Sequence, residues 1–307
     1  MIQIKLASHA PNEVGIDGAV RTLLANVVDY AALFPPAALA MNQAVERFAS
    51  YLRSENRWMS GRFVLPATRL REFERAFAVL TGTRRWKISC LLGVDTAADL
   101  AEIERFQSRH SENVVAVDCL ELVAPGVENL QQLRNQLPPD CSIYLEVPFE
   151  VGKEFLLAIR DAGAGAKIRT GGLKPEAIPA ASEIAGFLKN CAETRTRFKA
   201  TAGLHHPVRC LKPLTYDVGA PRARMHGFLN VLLAAGLAYR GADAADLLSV
   251  LEADSREAFR FDRESASCGE KNLSIPEIAE MRENFMISFG SCSFEEPIDD
   301  LREWQLL

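Results

Sequence analysis

The sequence predicts an α/β fold, a (β/α)8 barrel of the TIM type that forms one domain over residues 1–307. Short apolar runs alternate with helical segments between residues 61 and 203, and the runs are rich in Val, Ile, Leu and Phe. Such alternation is typical of βα units on a parallel sheet. Six units in a row without a GxGxxG motif favour a closed barrel over a doubly wound sheet.

The six central strands can be read directly from these runs. They are, in order, GRFVLP, WKISCLLG, VVAVDCLELV, SIYLEVPF, GAKIR and RFKATAG. Apolar residues in the intervening segments recur with helical spacing. The helix after the second strand begins at Asp95, and aspartate is a favourable N-cap residue.

Two more strands are needed to close a barrel of eight. We predict one from IQIKL at the N-terminus and one from FMISFG, residues 285–290, followed by a last helix over EEPIDDLREWQLL. We predict two helices over residues 17–52, with a break between them at Pro35 and Pro36. Residues 207–284 predict a helical insertion that caps the barrel.

Composition limits the function classes. The formal net charge of −5 argues against a nucleic-acid-binding protein, which is usually basic. The longest apolar run, residues 227–239, is too short to cross a bilayer, and the N-terminus has no signal-peptide core. Seven cysteines without a CxxC pair and five histidines without a metal motif predict reduced thiols, no metal and no cofactor. We therefore expect a cytoplasmic protein, with a homo-oligomer compatible with the sequence.

Charged and polar residues occur in the predicted strands, and catalytic groups of such barrels gather at the C-terminal ends of strands. One interpretation is a buried ion network in which nothing reacts. The residues concerned are Asp118, Glu121, Glu146, Lys167, Arg169, Lys199 and Thr201.

Two lysines on consecutive strands favour a chemical interpretation. A second cation and burial both disfavour the charged form of an amine and so lower its pKa. A neutral lysine amine can attack a carbonyl carbon and form a Schiff base. We predict that Lys167 is the nucleophile, that Lys199 lowers its pKa, and that a nearby carboxylate transfers protons.

Four motifs resemble those of the deoxyribose-phosphate aldolase family. AGAGAKIRTGG is similar to the strand with the Schiff-base lysine, RFKATAG to the strand with the second lysine, and ISFGSCSF to the phosphate loop; VDCLELV is similar to the strand with the catalytic aspartate. The matching residues are Lys167, Thr170, Gly171, Phe198, Lys199, Gly203, Phe289, Gly290 and Ser293, with Asp118 at the position of the aspartate.

The resemblance implies a barrel, a Schiff base at Lys167, an accessory Lys199 and proton transfer by Asp118. Arg169 replaces a small residue of the family, and the insertion at 207–284 has no counterpart in it. We therefore expect an aldolase-like lyase that acts on another small aldehyde or keto compound, with or without a phosphate group.

These arguments give a set of candidate site residues. The catalytic candidates are Lys167, Lys199, Asp118 and Glu146. An anion is predicted at the N–H groups of residues 290–293, unless Glu295 or Glu296 caps that helix itself. The candidate substrate-binding residues are Arg169, Thr170, Gly171, Gly172, Thr201, Gly203, His205, Gly290, Ser291 and Ser293.

Two alternatives remain open at this level. A non-catalytic barrel would bind an anionic metabolite through Lys167, Arg169, Lys199 and Arg209. A metal-assisted lyase would use Glu121, Glu146 and His205 as ligands. The basic cluster RRWK, residues 84–87, lies at a strand start and is interpreted as a solvated surface.

Overall fold

Eight parallel strands close into a barrel, which confirms the predicted fold class. The computed structural model describes residues 18–80 and 84–307. Around the barrel the order is β1-β13-β7-β6-β5-β4-β3-β2. With strands numbered along the whole chain, these are β1 (Val28–Tyr30), β2 (Ser60–Pro66), β3 (Trp86–Leu91), β4 (Val115–Val123), β5 (Ser142–Glu146), β6 (Gly165–Arg169), β7 (Phe198–Thr201) and β13 (Met286–Ser291).

Helices cover the outside of the barrel. The buried residues of the helix over Ala181–Thr194 include Ile184, Leu188 and Cys191, which recur with helical spacing and face the sheet. Asp95 caps its helix as predicted, accepting a hydrogen bond from the N–H of Ala98 at 3.0 Å. The helices are α1 (Gly18–Leu24), α2 (Met41–Arg53), α3 (Leu70–Phe77), α4 (Thr96–Arg109), α5 (Leu130–Gln136), α6 (Lys153–Asp161), α7 (Ala181–Thr194), α8 (Phe228–Tyr239), α9 (Ala244–Glu252), α10 (Ile275–Asn284) and α11 (Glu295–Glu303).

The strand that closes the barrel differs from the one predicted. IQIKL lies outside the described residues, and the closing position is occupied by β1, which pairs with β13 and β2. Residues 28–30 had been predicted as helix. Val28 and Tyr30 have high strand propensity and all three residues of β1 are buried, but three residues are too few for their alternation to stand out in an Ala- and Leu-rich stretch.

The segment 207–284 contains strands as well as helices. β8 (Cys210–Pro213) and β9 (Arg222–Met225) form an antiparallel pair, and β10 (Phe259–Phe261), β11 (Ser265–Cys268) and β12 (Lys271–Ser274) form a second small sheet. α8 lies against the barrel wall, where Phe228 stacks on Phe289 with ring centroids 5.4 Å apart. At the other end of this segment, Leu214 and Met225, in and beside the β8–β9 pair, reach the cavity at the C-terminal end of the barrel.

Aromatic rings fill one side of the core. Trp86 lies 4.8 Å from Phe48 and 5.7 Å from both Phe63 and Phe73, measured between ring centroids. This cluster packs α2 and α3 against β2 and β3 and buries large apolar surfaces. Among the helices of residues 18–80 and 84–307, none is both long enough and apolar enough to span a membrane.

Candidate active site

Lys167 and Lys199 lie side by side inside the barrel. They are directly opposite each other in the register of β6 and β7. Their side chains are only 5% and 2% exposed. In a parallel pair of strands, residues in register point to the same face, so the sequence prediction that these two lysines come together is confirmed.

Glu121 on β4 bridges the two lysines. Its Oε2 lies 2.8 Å from Lys167 Nζ, and its Oε1 lies 2.6 Å from Lys199 Nζ. Ser89 donates a hydrogen bond to Oε1 at 2.6 Å. One carboxylate thus contacts both amines, and both amines lie within the range of strong charge interaction.

Asp29 on β1 is the second partner of Lys199. Its Oδ2 lies 2.5 Å from Lys199 Nζ and accepts a hydrogen bond from Ser288 at 2.7 Å. Its Oδ1 accepts the backbone N–H of Arg62 at 2.8 Å. Sequence reasoning missed Asp29 because the strand that carries it was predicted as helix, although a lone acid within the apolar run VVDYA was a signal.

Glu146 on β5 contacts Lys167 from the more open side. Its Oε2 lies 3.0 Å from Lys167 Nζ, and its Oε1 lies 3.9 Å from Arg169 Nη1. The Glu146 side chain is 26% exposed, against 3% for Glu121. Glu146 is therefore the more exposed of the two carboxylates beside Lys167, whereas Glu121 is the one at the wall of the cavity described below.

The network keeps opposite charges on its buried members. Burial by itself would lower the pKa of Lys199, but the carboxylates of Asp29 and Glu121 outweigh it and raise that pKa above the ordinary value. Burial would raise the pKa of Glu121, but the ammonium groups of Lys199 and Lys167 outweigh it and hold that pKa far below the usual range. Lys199 thus remains an ammonium and Glu121 a carboxylate at neutral pH.

A cavity of about 220 Å³ opens at the C-terminal end of the barrel. Lys167 lines it, whereas Lys199 is not among the described residues at its wall. Most of the wall is apolar, and the polar part includes Glu121, Arg169, Thr201 and His205. The apolar residues include Phe34, Pro35, Pro36, Val64, Leu91, Leu173, Leu214 and Met225; Leu214 directly follows β8, and Met225 ends β9.

His205 lies at the same wall and is held by an acid. Its Nδ1 is 3.0 Å from Glu296 Oε2, and Tyr216 donates its hydroxyl to the same oxygen at 3.3 Å. Burial would raise the pKa of Glu296, but the bond to His205 outweighs it and the pKa is lowered. A carboxylate at Nδ1 favours the tautomer with its proton there, which leaves Nε2 as the basic nitrogen.

The predicted anion loop caps itself. Ser291 accepts the N–H of Ser293 at 3.3 Å, and Ser293 accepts the N–H of Glu296 at 3.1 Å. α11 then begins with Glu295 and Glu296, whose charges favour the helix dipole and repel an anion. Serine hydroxyls, and neither Glu295 nor Glu296, thus accept these N–H groups, since Glu296 contacts His205 instead. Anion binding at residues 290–293 stays a prediction.

Several other predicted residues support the backbone of the site. Thr170 donates to the carbonyl of Ala202 at 2.5 Å. A Cβ at Gly171 would lie 2.7 Å from the Cα of Gly203, and Gly203 has φ +78, so both positions require glycine. Gly172, Thr201, Gly203 and Gly290 are among the residues that line the cavity.

Asp118 is not among the carboxylates that contact the lysines. Its Oδ1 accepts a hydrogen bond from Arg62 Nε at 2.7 Å. The register between β3 and β4 shifts at this point, and Asp118 lies three residues before Glu121, nearer the N-terminal end by about 10 Å at ~3.3 Å per strand residue. Glu121 is the acid of this strand that meets the lysines.

The residues of the two alternatives come together only in part. Arg209 is not among the described residues that line the cavity with Lys167, and its backbone N–H binds the Asn230 side chain at 3.0 Å. Glu121 contacts lysines, whereas His205 contacts Glu296. Within the described ranges, no group of three or more His, Cys, Asp or Glu side chains has the arrangement of a metal site.

No family model and no curated sequence matches this chain.

Proposed function

We propose that the protein is a lyase of the class I aldolase type that forms a Schiff base between Lys167 and a small aldehyde or ketone. One observation carries the proposal. Lys167 is a nearly buried amine that lines a cavity and lies between two carboxylates, while Lys199 behind it shares one of them. Amines in such desolvated, multiply charged surroundings are suited to carbonyl chemistry.

Glu146 transfers the protons of imine formation. Lys167 Nζ loses two of its three protons in turn to Glu146, which passes both to the carbonyl oxygen, and that oxygen leaves as water. The nitrogen lone pair forms the new C–N bond, and the imine keeps the third proton and a positive charge. Glu121, at 2.8 Å from Nζ, stabilises that charge.

Lys199 controls which lysine reacts. Asp29 and Glu121 hold it at 2.5 and 2.6 Å, and its raised pKa keeps it protonated. Because Lys199 stays an ammonium and is not among the described residues at the cavity wall, Lys167 is the amine of the pair that a substrate can reach.

His205 acts on the substrate carbon chain. Its Nε2 takes the proton of the hydroxyl next to the scissile C–C bond; the C–O bond becomes a carbonyl, and the C–C electron pair moves to the iminium to give an enamine. The imidazolium then returns the proton to the enamine carbon, and hydrolysis frees Lys167. Glu296, 3.0 Å from Nδ1, orients the ring.

The wall of the cavity indicates the substrate class. Its apolar residues and volume of about 220 Å³ suit a small carbonyl compound with an apolar part. Arg169 is 57% exposed at the rim, where it suits a carboxylate or phosphate at the far end of the substrate. Resemblance to the deoxyribose-phosphate aldolase family supports the same chemistry with a different substrate.

Reductive trapping tests the proposal. The protein is incubated with a panel of small aldehydes and ketones plus borohydride, and the modified peptide is identified by mass. We expect one adduct at Lys167 in the wild type, loss of that adduct in Lys167→Arg, and full retention in Lys189→Arg, where the lysine is exposed on α7. Absence of any adduct over the whole panel, or an adduct that persists in Lys167→Arg, contradicts the proposal.

A further inference from the structure

A second cavity, of about 340 Å³, lies at the N-terminal end of the barrel. The first residues of β2 form part of its wall, as do residues just before β1 and β3. The cavity shares no lining residue with the one that contains Lys167. Its lining residues are Asn26, Phe48, Leu52, Arg57, Ser60, Gly61, Arg62, Arg84, Arg85 and Lys87.

Most of the positive charge of this wall has no acidic partner. Half of the lining residues are cationic and none is acidic. Arg62 is paired with Asp118, but the other four cations form no ion pair within the part of the chain that the structure describes. They gather on a protein whose formal net charge is −5. These four are Arg57, Arg84, Arg85 and Lys87.

A buried hydroxyl at the same wall has no partner. Ser60 is 6% exposed, and its Oγ forms no hydrogen bond with any described residue. Buried polar atoms are nearly always satisfied by a protein group, water or a ligand. An acceptor oxygen in the cavity would satisfy this hydroxyl, and Phe48 and Leu52 form an apolar side next to it.

We propose that this cavity binds a phosphate-bearing small molecule. Arginine guanidinium groups form paired hydrogen bonds with phosphate oxygens. Three unpaired arginines and a lysine carry more positive charge than a ligand with a single carboxylate would need. Ser60 supplies a further donor. The interpretation of RRWK as a purely solvated surface is therefore replaced by one in which Arg84, Arg85 and Lys87 contribute to a site.

The proposed site adjoins the buried ion network. Arg62, at the wall of this cavity, donates its backbone N–H to Asp29 at 2.8 Å, and Asp29 contacts Lys199 at 2.5 Å. A ligand in this cavity would lie close to Asp29, the carboxylate that holds Lys199. It would not enter the cavity that Lys167 lines.

Binding of pyrophosphate to the whole protein tests the proposal by calorimetry at low salt. We expect saturable 1:1 binding that weakens as salt is added, because exposed charge interactions are screened. Acetate, a carboxylate of single charge, should bind at least about tenfold more weakly. The measurement needs no catalytic activity, so its outcome is independent of the proposed lyase function.

Charge reversal locates the site. Arg84→Glu with Arg85→Glu should weaken pyrophosphate binding by at least about tenfold, and the milder pair Arg84→Gln with Arg85→Gln by a smaller factor. The control is Arg260→Glu with Arg263→Glu, which makes the same change of charge at exposed residues of the β10–β11 region. We expect the control to bind within about twofold of the wild type. No saturable binding up to about 5 mM, or equal weakening in both double variants, would overturn the proposal.

Discussion

The cations at the two ends of the barrel differ in burial and in their acidic partners. At the C-terminal side, Lys167 and Lys199 are nearly buried and each contacts two carboxylates. At the N-terminal end, Arg84, Arg85 and Lys87 are exposed and have no acidic partner among the described residues. A buried charge without a partner costs several kcal/mol, whereas an exposed one keeps its hydration.

This difference separates two kinds of function. The buried amines are held in place by their partners and so can act as reagents with fixed geometry. The exposed cations retain their positive potential and so attract anions from solution. The comparison predicts that single substitutions in the interior have large effects on stability and chemistry, and that substitutions of the exposed cations at the N-terminal mouth affect binding alone.

The largest effect on stability is expected at Asp29. Asp29→Ala leaves Lys199 buried with one carboxylate instead of two and should reduce the free energy of unfolding by about 3–5 kcal/mol, measured by urea denaturation. The control is Asp254→Ala, which breaks an ion pair with Arg224 at 2.8 Å in which both side chains are about half exposed. That variant should lose less than about 1 kcal/mol. Similar losses in the two variants would contradict the comparison.

A smaller effect, on chemistry, is expected at His205. His205→Gln should reduce turnover of a substrate found by trapping by about 100-fold, since general acid–base catalysis contributes at least that much. The borohydride adduct at Lys167 should persist, because imine formation uses Glu146.

The neighbouring histidine provides the control for this experiment. His206 contacts Asp300 at 2.6 Å and does not line the cavity with Lys167, so His206→Gln should change turnover by less than about threefold. Loss of the adduct in His205→Gln, or equal losses of turnover in both variants, would assign His205 a different role.

Gly61 lines the N-terminal cavity and packs against Asp29 of the buried ion network. A Cβ there would meet Asp29 Oδ1 and lie 3.1 Å from the carbonyl oxygen of Val28. Gly61→Ala should therefore reduce the free energy of unfolding by about 1–3 kcal/mol. Gly186→Ala, on the exposed side of α7 with no atom within 4 Å of the new Cβ, should raise it by up to about 1 kcal/mol. A neutral Gly61→Ala would mean that Asp29 is loosely held.

The smallest effect on the free energy of unfolding is expected from a change of pH between the acid and alkaline limits of the ion network. The lowered pKa of Glu121 gives stability that is present above the ordinary value of 4.5 and is lost as pH falls below it. The raised pKa of Lys199 gives stability that is present below 10.5 and is lost as pH rises above it. Between these limits the network should contribute a constant amount.

Urea denaturation at a series of pH values checks this plateau. Glu121→Gln, measured in parallel, should lose less stability than the wild type below the acid limit, because the titrating carboxylate is absent. Glu72→Gln is the control, since that exposed carboxylate pairs with Arg69 on the surface. An acid loss that is equal in wild type and Glu121→Gln would show that other groups dominate it.

The sequence by itself determined most of the barrel and the lysine pair. β2 to β7 and β13 were predictable because their apolar runs are dense and regularly spaced, and that signal lies within a few residues of each strand. Lys167 and Lys199 were predictable neighbours because consecutive parallel strands adjoin and residues two apart share a face. Local patterns were sufficient for these features.

Only the tertiary structure decided which charges meet. Asp29 lies 170 positions from Lys199 in the chain, and its three-residue strand carries too little pattern to distinguish it from helix. The choice of Glu121 over Asp118, and the bond between Glu296 and His205, depend on strand register and on which loops meet above the barrel. Closure of the barrel brings together residues distant in sequence, and periodicity, which reports only on neighbours along the chain, carries no information about such pairs.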